Sequence, residues 1–182
     1  MFRLRPETIA LAALAVSSCT TTSTLKDLER TLADNESATA ALGQWCRQRG
    51  LAQPPVIRAL ADRQEVAFPS TEIRQRLGVS VDESIGYRHV RLVCGDRVLS
   101  IAHNWYVPAR LTADMNRTLN TSDVPFGRVV APLGFHRDRI AQEQGAMPQC
   151  PADTILSHKA VLRTPDGKPF SLVVECYTPG NL

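Results

Sequence analysis

The sequence predicts an α+β domain built on an antiparallel sheet, and three observations carry that reading. Residues 87–94 and 98–107 are two apolar, strand-like runs joined by the short polar turn Gly95-Asp96-Arg97. Residues 155–163 and 169–178 repeat the arrangement around Thr164-Pro165-Asp166-Gly167, where Asp-Gly is a strong hairpin signal. Segments of helical period separate these hairpins, which places helices against an antiparallel sheet rather than between parallel strands. A length of 182 residues, with 43% hydrophobic and 21% charged, fits one globular domain and excludes a disordered chain. The net charge of +3 is spread along the chain, so no nucleic-acid partner is expected. No internal apolar run is long enough to span a bilayer.

Residues 1–18 read as a secretory signal peptide: Arg3 and Arg5 form a basic start, residues 8–16 are apolar, and Ser17 and Ser18 precede Cys19. The segment Val16-Ser17-Ser18-Cys19 resembles a bacterial lipobox. That resemblance implies that Cys19 is acylated, becomes the mature N-terminus and holds the chain on a lipid bilayer. Thr20 stands where Asp signals inner-membrane retention in Gram-negative lipoproteins, which implies an outer-membrane anchor facing the periplasm. An ordinary signal peptide and an amphipathic first helix are the alternatives. The expected organisation is a signal peptide over 1–18, the lipidated cysteine with a polar tether and first helix over 19–39, and the sheet domain over 40–182.

Residues 25–46 have helical spacing through Leu25, Leu28, Leu32, Leu42 and Trp45, with Ser23 as a cap and a break at Asp34-Asn35. Pro54-Pro55 opens a second short helix through Val56 and Leu60. Residues 65–68 suit a short strand, 72–77 are ambiguous, and 78–84 read as loop. Residues 109–119 are helical, 124–130 form a segment around Pro125-Phe126-Gly127, and 137–144 form a helix stopped by Gly145.

With Cys19 taken by lipid, Cys46, Cys94, Cys150 and Cys176 remain, and in an oxidising compartment they allow three connectivities. Cys46 near a helix end and Cys150 in a proline-flanked loop are expected to pair, with Cys94 and Cys176 free or joined to each other. No Cys/His spacing, glycine-rich phosphate loop, Ser/His/Asp pattern or HExxH is present, so no metal and no cofactor is expected.

Three segments in order, RHVRLVCGDRVLSIAHNWYVP, DVPFGRVV and DGKPFSLVVECYTP, are similar to the chorismate lyase family and to its structural relatives, the UTRA ligand-binding domains of bacterial regulators. The resemblance spans about residues 40–179. It implies a chorismate lyase-like fold: a six-stranded antiparallel sheet with helices packed on one side and a ligand enclosed between the two. In the lyases an Arg binds carboxylate and a Glu assists elimination of pyruvate from chorismate, giving 4-hydroxybenzoate without a cofactor. Glu175 falls on the family Glu, Phe126 and Gly127 on the pocket-lining motif, and His89 on the family Arg position.

Read as residues alone, Glu175 lies in an apolar strand with Ser171, Val173 and Tyr177 on its face, and is either solvated or buried with a partner. Arg91 shares the face of His89, and Arg88 does not. The expected site is therefore a pocket lined by His89, Arg91, Phe126, Gly127 and Glu175. It binds a small anionic or hydroxylated, cyclic molecule without catalysis. The alternative is a chorismate lyase-type enzyme with Glu175 and His89 as its catalytic pair.

Overall fold

The computed structural model describes the backbone of residues 16–182 and the side chains from residue 23 onward. The signal-peptide reading and the side chain of Cys19 lie outside the described residues. Helix α1 (Val16–Ala33) and helix α2 (Ala38–Gln48) meet at the expected break. Ser23 lies inside α1 instead of capping it, and α1 runs across the expected boundary between residues 18 and 19. Among the described residues no helix is long and apolar enough to cross a membrane.

The sheet has six strands in the order β1-β2-β3-β6-β5-β4, every neighbouring pair antiparallel. They are β1 (Ile57–Asp62), β2 (Gly86–Cys94), β3 (Arg97–Tyr106), β4 (His136–Gln144), β5 (Leu156–Arg163) and β6 (Pro169–Tyr177). The two anticipated hairpins are β2–β3 and β5–β6, and Gly95 and Gly167 adopt φ of +57° and +84° in their turns, where a Cβ would be strained. β3 and β6 join the two hairpins at the centre.

Two segments expected to be helical are strands, and both lie at the sheet's edges. Residues 57–62 follow Pro54-Pro55, but their apolar positions alternate, and pairing with β2 satisfies their backbone. Residues 137–144 belong to β4, which pairs with β5; their polarity reflects an edge exposed to water rather than a solvated helix face. Residues 65–68 form no strand, and the ambiguous stretch is helix α3 (Thr71–Leu77), capped by Ser70 and ended by Gly78. The expected helix over 109–119 is shorter, α4 (Ala113–Thr121), with Thr112 as its cap, and the PFG segment forms α5 (Phe126–Val129).

Leu28, Leu32, Leu42, Trp45 and Cys46 from α1 and α2 pack on Val90, Leu92, Cys94 and Tyr177 to form the core over one sheet face. Beside it, α4 and α5 contribute Leu119 and Phe126 against Tyr106, Val173 and Phe170. The seven-residue α3 covers the reverse face, where Ile73 and Leu77 meet Val161, Leu172 and Val174. Lys159 of β5 donates to Glu72 of α3 at 2.8 Å on that side.

The cysteines pair differently from expectation. Cys46 bonds Cys94 across a Cα separation of 6.2 Å, and Cys150 bonds Cys176 across 5.4 Å. The faces of the sheet explain this: Cys46 on α2 and Cys94 on β2 share the main helical core, whereas Cys176 points to the reverse face beside Cys150. The expected Cys46–Cys150 bridge would have to pass through the sheet.

Candidate ligand-binding site

A cavity lies between the centre of the sheet and the N-terminal end of α2. Strand alternation sets which side chains reach it. Glu175 on β6 stands opposite Ala102 on β3, and Ala102 stands opposite Val90 on β2. Val90 and its second neighbours Arg88 and Leu92 therefore share the face of Glu175. Asn104 is opposite Arg88 and joins the same face. Arg88, Asn104, Arg137 and Glu175 supply its polar sheet-side lining, while Val90, Leu92, Ala102, Phe126, Phe135, Leu162 and Val173 supply apolar walls. Ser37, Ala38 and Thr39 at the start of α2 close it from above. About 50 Å³ is open to the centres of water-sized molecules, several times the ~10–15 Å³ that one water needs.

Gly127 decides how closely the roof can shut. A Cβ there would stand 2.5 Å from Ser37 Oγ and 3.1 Å from Thr39 Oγ1, so the absence of a side chain lets α5 approach the first turn of α2. Ser37 Oγ accepts from the Ala40 N–H at 3.3 Å and caps α2.

At one end of the cavity Glu175 and Arg137 neutralise each other, and Glu36 stands beside them, its Oε2 accepting from the Arg137 backbone N–H at 2.6 Å. Glu175, 6% exposed, takes both terminal nitrogens of Arg137 in a forked ion pair; Arg137 Nη1 donates to Oε1 at 2.9 Å, and Nη2 donates to Oε2. Tyr177 Oη donates to Oε2 at 3.0 Å. Burial alone would push the Glu175 carboxyl up, but the charge and hydrogen bonds of Arg137, with His158 and Tyr177, hold it below the usual carboxylate range. Burial and the neighbouring carboxylate push the Tyr177 phenol well up. His158, 1% exposed and opposite Glu175 on β5, has no hydrogen-bond partner for either ring nitrogen among the described residues. Burial, opposed by Glu175 and reinforced by Arg139 and Arg137, lowers its pKa to about 4.

The other end carries a cation whose terminal nitrogens lack hydrogen-bond partners among the described residues. Arg88 is 7% exposed, and its Nη1 and Nη2 are buried with no partner among the described residues. Burial pulls its pKa down, Tyr106 opposes, Arg63 adds to the fall and the Asp123 carboxylate opposes it, and the guanidinium remains charged at any physiological pH. Beside it, Ser171 Oγ donates to Asn104 Oδ1 at 2.5 Å, which turns the amide so that Nδ2 is left buried and unpartnered. Donors without acceptors converge here, and a buried charge without a partner is costly.

Of the residues expected in the pocket, Phe126, Gly127 and Glu175 line it together. His89 and Arg91 do not. The register that puts Val90 on the face of Glu175 turns both to the reverse face, where they border a separate groove with His103 and Gln149. Arg88 and Arg137 supply the cationic groups instead. The alternation that separates Arg88 from His89 was the signal for the first; the second lay in a segment whose polarity resembles an exposed helix.

No family model matches the chain. It is 42% identical over 175 residues to the uncharacterized protein y4mC of Sinorhizobium fredii, covering 85% of this chain and 73% of that one, and it belongs to the same protein family. Among solved structures, it superposes on the effector domain of PhnF from Mycobacterium smegmatis with a TM-score of 0.56 at 13% identity, over 79% of this chain and 89% of that domain. It spans 65% of the intact PhnF, again with a TM-score of 0.56. A GntR-family transcriptional regulator from Enterococcus faecalis gives a TM-score of 0.50 at 19% identity, over 69% of this chain and 95% of that one. The chain thus has the UTRA-like, chorismate lyase-like fold of the effector domains of GntR regulators.

Proposed function

We propose that this protein is a lipid-anchored domain of the bacterial cell envelope that binds a small anionic molecule in the cavity beneath α2, without catalysis. The observation that carries the reading is Arg88: a permanent cation, buried in an apolar-walled cavity, with both terminal nitrogens unpartnered among the described residues. A carboxylate or phosphate would accept from its fork and from Asn104 Nδ2. The 11-residue helix α2 directs its N-terminal end at the same space, which adds partial positive charge.

The effector domains of regulators share this fold, and a small-molecule ligand is in keeping with it. Envelope location is supported by the basic start, apolar run and Val16-Ser17-Ser18-Cys19, and by the two disulfides, which suit an oxidising compartment. Replacing Cys19 by Ala is expected to abolish acylation and membrane association; unchanged mass and fractionation would refute the anchor. Against a lyase-type enzyme stands the state of Glu175: its oxygens are taken by Arg137 and Tyr177, so it is not a free acid or base.

The binding test is calorimetric titration of the full chain with benzoate, 4-hydroxybenzoate and inorganic phosphate, followed by the same titrations on Arg88→Met. At least one anion is expected to bind wild type at 1:1, and Arg88→Met is expected to weaken it by about tenfold or more. Failure of all three probes to bind, or equal affinity in the variant, contradicts the reading. Turnover of chorismate to 4-hydroxybenzoate at enzyme-like rates would establish the lyase in its place.

A further inference from the structure

We infer that Asp62, Glu65 and His89, on the reverse face of the sheet, form a binding site for one divalent transition-metal ion of the Zn²⁺ type. One ligand atom from each of the three side chains lies within 4.8 Å of the other two. The sheet register builds the group: Asp62 ends β1 directly opposite His89 on β2, and Glu65 follows in the turn that leaves β1.

Two members are held in place, Asp62 by backbone groups of the turn and His89 by a ring stack. Asp62 Oδ1 accepts from the backbone N–H groups of Gln64 at 3.0 Å and Glu65 at 3.3 Å, which folds the turn back over the strand. The His89 ring stacks on His103 at a centroid distance of 4.6 Å and an interplanar angle of 17°. His103 is itself fixed at both nitrogens, by Tyr87 Oη at 2.7 Å and by the Gln149 carbonyl oxygen at 2.9 Å. The imidazole of His89 is therefore held in orientation by its stack on a fixed neighbouring ring.

Two further observations point to a cation. His89 Nδ1 is shut off from solvent and has no hydrogen-bond partner among the described residues. Asp62 and Glu65 bring two negative charges with no ion pair among the described residues: Arg63 donates to the Asn120 carbonyl, and Arg91, which lines the same groove, bridges neither. One imidazole and two carboxylates suit a borderline divalent ion better than Mg²⁺ or Ca²⁺, which favour oxygen alone. Three protein ligands leave coordination positions open toward the groove that also contains His103 and Cys150.

The test is titration of the full chain with Zn²⁺ alone, read by calorimetry and by the rise in melting temperature. Wild type is expected to bind one Zn²⁺, and Asp62→Asn, Glu65→Gln and His89→Phe are each expected to weaken binding by about tenfold or more. His89→Phe keeps a ring for the stack on His103 and removes the nitrogens, so it separates ligation from packing. His136→Ala is expected to bind as wild type does. No 1:1 binding by wild type, or His89→Phe binding as tightly as wild type, would overturn the site. Equal binding of Mg²⁺ with no dependence on His89 would reduce it to an acidic pair and overturn it too.

Discussion

Arg88 and Arg137 line the same cavity, on the same sheet face, and both guanidinium groups are buried, yet they are in opposite chemical states. Arg137 is locked to Glu175 by a forked ion pair. Arg88 has no partner for its terminal nitrogens among the described residues. A buried charge that the fold neutralises belongs to the architecture, and a buried charge left open is kept for something the protein does not itself contain. The difference separates the two ends of the cavity into a structural end at β4–β5–β6 and a binding end at β2–β3.

The largest expected effect breaks the neutral end. Arg137→Met leaves Glu175 buried without its cation, and is expected to lower stability by about 3–5 kcal/mol in denaturant unfolding. A loss below about 1 kcal/mol would mean that the pair is solvated, and the contrast with Arg88 would collapse. Glu175 also sets an acid limit. Its folded pKa is depressed, so its stabilisation is present above the unfolded value of 4.5 and is lost as pH falls through the folded pKa.

The disulfides clamp the two faces separately. Cys46–Cys94 closes a separation of 48 residues and Cys150–Cys176 one of 26, worth about 4 and about 3.5 kcal/mol in the chain-entropy model. Peptide mapping of the oxidised protein is expected to give these two linkages, and recovery of a Cys46–Cys150 peptide would contradict the assignment of faces.

His158 sharpens the comparison from the side of pH. Its folded pKa of about 4 lies below the unfolded 6.5, so the unfolded chain binds the extra proton between those values, and stability rises with pH across that window. The contribution is on the order of 3 kcal/mol. Exchange to Leu is expected to flatten the stability profile between pH 6.5 and 4 while leaving the Glu175 limb at lower pH. An unchanged profile would show that His158 reaches solvent.

The hairpins were legible in the sequence because a turn with Asp-Gly or a glycine of positive φ joins two apolar runs, and those features act locally. The edge strands were not. Residues 57–62 follow a Pro-Pro pair that also opens helices, and residues 137–144 are polar because one side meets water; only pairing with β2 and β5 makes them strands. Glu175 was legible as an acid in an apolar strand, and its face mates were readable from alternation. Its partner was hidden, since Arg137 comes from a segment that reads as helix. The exchange of Arg88 for His89 and Arg91 turns on one residue of register, which local pattern does not set and the pairing of β2, β3 and β6 does.

The most direct measurement of the central claim is the stability of Arg88→Met, compared with wild type in anion-free buffer. If Arg88 is an open binding charge, removing it relieves an unpaired buried cation and the variant is more stable, by about 1–2 kcal/mol, while the response to the anion that protects wild type disappears. A variant that loses stability as Arg137→Met does would place Arg88 in the architecture, and the cavity would have no charge reserved for a ligand.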